Sequence, residues 1–221
     1  MKPQRQLALI QAMSALICAV FFVPAVSAVE LTRDAYVAAS NRMGVVLLGV
    51  SWGRAWGYCG FENVQLQGIA FDRMPVHKVG DEPPADLILE GPMLVAKPVS
   101  VDYALLLEPG EYALSSFRIK AAKSLSDVGV FRAGRTKLIE GGKPVAGSFK
   151  VGANEIIYIG HFAPDCPKTG HPTIWRYYLK DSAAFNDYLA KVKDRFSFLN
   201  VETAQYRLLQ TTTIGQDHQL Q

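Results

Sequence analysis

The chain of 221 residues is poor in the residues that most directly announce chemistry. It has three cysteines and four histidines, too few for repeated zinc modules or a disulfide-dense miniature fold. Charged residues make up 19% of it, 23 basic against 20 acidic, and neither sign gathers into a block. The formal charge of +3 therefore lacks the clustered basic face that phosphate binding requires, which argues against nucleic acid as the main partner. There is no internal repeat and no alternation of strand and helix patterns, so neither a solenoid nor a doubly wound α/β fold is expected. Beyond residue 28 no apolar run is long enough to cross a bilayer as a helix. Gly141-Gly142-Lys143 lacks the other glycine and the Ser/Thr of a phosphate loop and reads as a hairpin tip.

What is present begins with an export pattern. Lys2 and Arg5 precede an apolar run from Leu7 to Val23, Pro24 breaks it, and Val26-Ser27-Ala28 supplies the small residues that signal peptidase reads. Residues 1–28 are thus expected to be a secretory signal peptide, placing the mature chain from Val29 in the periplasm or outside the cell. The alternative, a retained anchor, needs about 20 apolar residues, and Gln11 and Pro24 leave a shorter core. Cys18 follows Ile17 where a lipoprotein signal wants Gly or Ala, so lipidation is not expected. Cleavage removes two cations and no acid, which takes +3 to +1. It also leaves two cysteines, Cys59 and Cys166. In an oxidising compartment these most simply form one disulfide tying the front of the domain to its back, and a reactive or metal-binding thiol is the alternative.

The remaining pattern is mainly β. Residues 44–52, "GVVLLGVSW", are an apolar strand bounded by glycines, and 62–71 alternate with a phase change at Gly68 that suggests a bulge. Residues 77–86, "HKVGDEPPAD", read as a polar loop before a short strand at Leu87 to Leu89. Residues 101–107 and 112–119 read as a hairpin around a type II turn at Glu108-Pro109-Gly110-Glu111, with a second bulge at Ser115-Ser116. Short strands punctuated by glycine turns continue through 128–131, 149–162 and 173–180, and residues 201–209 add a last one. One helix is expected at about 182–195, capped by Asp181 or Ser182 and carrying Phe185, Tyr188, Leu189 and Val192 at helical spacing. The expected fold is a two-sheet antiparallel sandwich with one C-terminal helix, or α+β as the alternative, forming a single domain over 29–209 with a flexible tail at 210–221.

The run "PGEYALSSFRI" followed by "GSFKVGANEIIYIGHF" resembles the plan of transthyretin-like or carboxypeptidase-regulatory-like β-sandwich domains of bacterial envelope proteins. The resemblance covers about residues 99–162. It implies a structural or binding role, no cofactor and no catalytic residue, and it transfers no functional position.

Three segments could carry chemistry. Gly49-Val50-Ser51-Trp52-Gly53 matches the nucleophile elbow of serine hydrolases, with Asp165 and His161 or His171 later in the chain as acid and base. A helix should follow such an elbow, yet "RAWGYCGFEN" has no amphipathic period. His161, Asp165, Cys166 and His171 lie in a segment that reads as a loop able to fold around zinc or copper, although a disulfide would remove Cys166 from such a set. In "WGRAWGY", Trp52, Arg54, Trp56 and Tyr58 either plug one end of the sandwich or face a ligand. If Cys59 and Cys166 are bonded, Trp52, Arg54, Trp56 and Tyr58 join His161 and His171 in one candidate binding surface. His77 and His218 lie in polar sequence and suggest no role. The expected function is an exported, non-catalytic envelope accessory or binding protein that meets a protein or peptide partner through a strand edge or this surface. The alternatives are a serine hydrolase using Ser51 and a periplasmic metal-binding protein using the segment from His161 to His171.

Overall fold

A computed structural model describes residues 31–39, 41–81, 83–92 and 99–214, and the side chains of 54–56 fall outside the description. The expected signal peptide lies outside the described residues, as does the tail from 215 onward. In chain order the strands are β1 (Gly44–Tyr58), β2 (Phe61–Arg73), β3 (Leu87–Glu90), β4 (Val99–Leu107), β5 (Gly110–Ala122), β6 (Val128–Ala133), β7 (Ile139–Glu140), β8 (Lys143–Pro144), β9 (Ser148–Val151), β10 (Ile156–Lys168), β11 (His171–Tyr177) and β12 (Gln205–Tyr206). Three α-helices accompany them: α1 (Arg33–Ala39), α2 (Arg135–Leu138) and α3 (Ser182–Arg195).

The fold is mainly β and sandwich-like, as expected, and β1 belongs to both sheets. Its first half pairs antiparallel with β4, from Gly44↔Leu107 to Trp52↔Val99, and parallel with β10. From Gly53 onward it pairs with β2 instead. Gly53 has φ 134°, a region closed to residues with a Cβ, so the glycine is what lets the strand turn out of one sheet into the other. The first sheet runs β4-β1-β10-β11 with β12 beside β10, and it mixes parallel with antiparallel pairs. The second runs β1-β2-β5-β6 with β3 and β9 at the ends of β2 and β5.

The main core fills the space between the sheets with Val46, Leu48, Val50 and Trp52 of β1 against Leu66, Ile69, Phe71, Ile119, Phe162 and Ile174. A second core lies on the other side of the first sheet. There α3 lays Phe185, Tyr188 and Val192 over Val45, Leu47 and Tyr158. Burial on both faces is the physical reason that residues 45–48 are continuously apolar rather than alternating. Helix α3 coincides with the expected range, and Asp181 caps it by accepting from the Ala184 N–H at 2.8 Å. Both expected bulges are present, at Gly68 and at Ser115.

Four expectations need correction. Strands β4 and β5 do not form a hairpin: β4 pairs with β1 and β5 with β2, so Glu108-Pro109 is a corner between sheets. Gly110 has no positive φ; its missing Cβ makes room for the Arg73 side chain, whose Nε would lie 2.9 Å from that atom. Residues 52–58 and 161–168 are not loops but the continuations of β1 and β10. Residues 210–214 are not a frayed tail, because Gln210 and Ser148 exchange backbone hydrogen bonds and the Ile214 carbonyl accepts from Arg176 N–H, which seats Ile214 in the core.

Candidate functional site

The largest cavity described opens where β2 ends, an open cleft of about 750 Å³ between the segment 73–86, Met43, and the corner joining β4 to β5. Its construction starts from one buried charge. Asp72, wholly inaccessible on β2, accepts from Arg135 Nε at 2.7 Å and from Lys78 Nζ at 3.0 Å. Burial alone would raise its carboxyl pKa, but the hydrogen bonds from Arg135 and Lys78 outweigh it and hold the group below the ordinary aspartate value. The same cations hold the segment expected to be a polar loop. Arg135 donates to the carbonyls of Gly80 and, at 2.9 Å, of Pro83, while Lys78 donates at 2.7 Å to the Pro84 carbonyl and to Asp86. Asp81 accepts from the N–H of Thr136, at the start of α2, at 2.8 Å. Residues 73–81 and 83–86 are thereby fixed as a wall.

Inside the cleft, Met43, Met74, Val76, Leu106, Leu107 and Tyr112 supply apolar surface. Tyr112 stacks on Phe149 and donates to the Glu108 carbonyl at 3.0 Å, and burial pushes its hydroxyl up to about 12. At the mouth, Arg73 pairs with Glu108 and Lys78 with Asp86. None of these residues stood out in the sequence. The available signal was Asp72, a carboxylate at an inward position of a strand, which demands a buried cation.

The structure places the sequence-derived candidates elsewhere. Cys59 and Cys166 stand at disulfide distance, S–S 2.07 Å and Cα–Cα 5.4 Å, which suits an oxidising compartment. Their segments are neighbours as expected: the Gly170 N–H donates to the Cys59 carbonyl at 2.8 Å, and the Tyr58 hydroxyl donates to Asp165 at 3.2 Å. The single binding surface is not assembled, however. Trp52 is 1% exposed and donates to the Tyr103 hydroxyl at 2.7 Å inside the core. The side chains of Arg54 and Trp56 lie outside the described residues. His161 is 8% exposed beneath α3, whereas His171 is exposed at the tip of the β10-β11 hairpin. Six residues of strand separate the Tyr177 pair of His161 from His171, about 20 Å. The two histidines therefore cannot share a metal ion, and among the described residues no three His, Cys, Asp or Glu side chains are grouped to hold one.

Compared with known proteins, the chain matches no family model, no curated protein and no solved structure. The geometry must speak for itself.

Around Ser51 it speaks in detail. Ser51 lies within β1 opposite Ser100, with their hydroxyls 3.0 Å apart. No helix follows it, since the strand runs on to Tyr58. Both glycines of the motif have other duties. Gly53 is the sheet-switching corner, and a Cβ on Gly49 would lie 2.0 Å from Cδ2 of His161. That imidazole hydrogen-bonds the Tyr158 hydroxyl through Nδ1, and its Nε2 faces Asp102 at 3.5 Å. Ser51 thus sits in a continuous strand rather than on the strained strand-to-helix turn that an elbow requires.

Proposed function

We propose that the protein is an exported, non-catalytic binding protein of the cell envelope and that the cleft beside Met74 receives a small, uncharged, largely apolar ligand. The observation that carries this reading is the self-pairing of the charges at its mouth, Arg73 with Glu108 and Lys78 with Asp86. A charged ligand would have to break these pairs, whereas an apolar one gains from burying the walls. The volume of about 750 Å³ suits a compact small molecule, since such sites span roughly 300–1,000 Å³. The leader pattern and the cysteine pair support export. The engagement of His161 by Tyr158 and Asp102, with Ser51 held by Ser100 within a continuous strand, supports a non-catalytic role. A protein or peptide partner in the envelope is compatible with the same role, and the likeness of residues 99–162 to envelope sandwich domains agrees with it.

The test is equilibrium binding of the neutral fluorophore N-phenyl-1-naphthylamine to the mature protein. Saturable binding is expected, and Val76→Trp or Leu106→Trp, which fill the cleft, should weaken it at least tenfold. Absence of saturable binding, or equal binding by both filled variants, refutes the reading.

A further inference from the structure

A sheet edge exposes a row of backbone groups, and several edges of this chain are tied off by its own segments. On β4 the Asp102 carbonyl accepts from Arg195 at 2.9 Å and the Ala104 carbonyl from the Leu31 N–H at 3.3 Å. On β11 the Arg176 N–H donates to the Ile214 carbonyl, and on β9 Ser148 exchanges two bonds with Gln210. Strand β6 is treated differently. It ends the second sheet and pairs with β5 in unbroken register, from Phe117↔Ala133 to Ala122↔Val128. The Lys123 N–H donates to the Asp127 carbonyl at 2.9 Å, which makes Ala122 and Val128 a non-hydrogen-bonded pair. By alternation the N–H and C=O groups of Val128, Val130 and Arg132 therefore point away from β5. Among the described residues no backbone or side-chain group bonds to them.

The side chains of this edge are as exposed as its backbone. Edges are blunted by proline, by bulges or by charges set along them. The six residues of β6, VGVFRA, hold no proline, no bulge and a single charge at Arg132. Val128 and Val130 are 46% and 45% exposed, and Leu125, in the turn before them, is wholly exposed. Charge on this outer face has one sign. Arg132 lies directly opposite Arg118, and Lys120 lies opposite Val130. Like charges across a ladder repel. Arg118 has Glu90 at 3.7 Å, whereas Arg132 and Lys120 have no carboxylate partner among the described residues. On the inner face Phe131 packs edge-on against Phe61, with ring centroids 5.6 Å apart, and Ala133 borders the main core.

We propose that the free edge of β6 receives an extended acidic segment of a partner protein as an added strand. The backbone groups of Val128, Val130 and Arg132 supply the ladder. Partner residues that bond to them share their face, so acidic side chains there meet Arg132 and Lys120. The alternate side chains fall on the inner face beside Phe131 and Ala133 and are apolar, which extends the core by one strand. A strand alternating acidic with apolar residues fits both faces. A second copy of this chain fits poorly, because pairing β6 with itself would bring the Arg132 and Lys120 side chains of both copies onto one face. None of these residues lines the cleft beside Met74, and the proposal does not depend on a ligand there.

The test is fluorescence anisotropy of the mature protein with a labelled heptapeptide, Thr-Val-Glu-Val-Glu-Val-Thr, and with its counterpart carrying Lys at both Glu positions. The Glu peptide should bind saturably, at least tenfold tighter than the Lys peptide, and more weakly as salt rises. Val130→Pro removes an N–H that β5 does not use, and proline is tolerated at such an edge position. It should weaken binding at least tenfold with the thermal midpoint within about 2 °C of wild type, a small change for a domain of this size. Arg132→Glu, which leaves the backbone alone, should reverse the preference between the peptides and decides the matter if Val130→Pro unfolds. Val76→Trp should leave binding unchanged, which separates this edge from the cleft. No saturable binding of the Glu peptide at millimolar concentration, equal binding of the Lys peptide, or indifference to both β6 variants overturns the proposal. So does a dimer in analytical ultracentrifugation that Val130→Pro dissociates, since the edge would then belong to a second copy.

Discussion

Arg135→Met removes the strongest partner of a carboxylate that has no access to water. In the wild type Arg135 Nε lies 2.7 Å from Asp72, and the same guanidinium satisfies the carbonyls of Gly80 and Pro83. The variant leaves Asp72 with Lys78 at 3.0 Å, a partner whose side chain is 27% exposed, and deprives two carbonyls of their donor. Breaking a buried ion pair by deleting one partner costs about 3–5 kcal/mol. In a domain of this size each kcal/mol lowers the thermal midpoint by about 2–4 °C, so calorimetry should record a fall of about 6–20 °C. Binding of N-phenyl-1-naphthylamine should weaken in parallel, because the wall formed by residues 73–81 and 83–86 loses its anchor. If uncompensated charge is the cause, Asp72→Asn added to Arg135→Met should recover at least half of the loss. The pH dependence has a definite sign. The folded carboxyl of Asp72 titrates below the ordinary value, so its stabilisation is complete above the unfolded value of about 3.9 and is lost as pH falls through the lower folded value. Asp72→Asn should therefore flatten the acid side of the stability curve. A fall under about 2 °C in Arg135→Met with probe binding intact would refute the reasoning.

Non-reducing peptide maps of the exported protein should link the peptides of Cys59 and Cys166, and replacing both by Ala should cost about 2–5 kcal/mol because the bond closes a long loop; freely alkylated Cys166 would contradict this. Gly49→Ala should destabilise by about 1–3 kcal/mol, as overpacking does, since the new Cβ meets His161 Cδ2 at 2.0 Å, and a neutral result would mean that the imidazole moves aside freely. A fluorophosphonate serine probe should leave the folded protein unlabelled; labelling that disappears in Ser51→Ala would restore the hydrolase alternative. Mass spectrometry of protein from its own cells should find an N-terminus at or near Val29, and intact Met1 in the cytoplasm would defeat the export reading.

Local pattern sufficed for those features whose cause is local. The capped helix at 182–195, the bulges at Gly68 and Ser115, and the turn at Gly141-Gly142 with φ values of 55° and 76° follow from neighbouring side chains and from glycine's access to positive φ, so a single chain reveals them. Cysteine arithmetic also sufficed, because once the expected leader with Cys18 is set aside, Cys59 and Cys166 have one mutual partner, and they stand at disulfide distance. Three-dimensional packing decided the rest. That the two glycines of the G-x-S-x-G match are a strand corner and a seat for His161 depends on β10 and β2, more than 100 and about ten residues away respectively. Whether Leu105 and Leu114 belong to a hairpin or to two different sheets is invisible to alternation, since a strand shows the same period whichever neighbour bonds it. The cleft was equally hidden. Asp72, Lys78 and Arg135 are unremarkable charges until the fold brings them together out of water, where the cost of leaving a carboxylate unpaired turns a polar loop into a fixed wall.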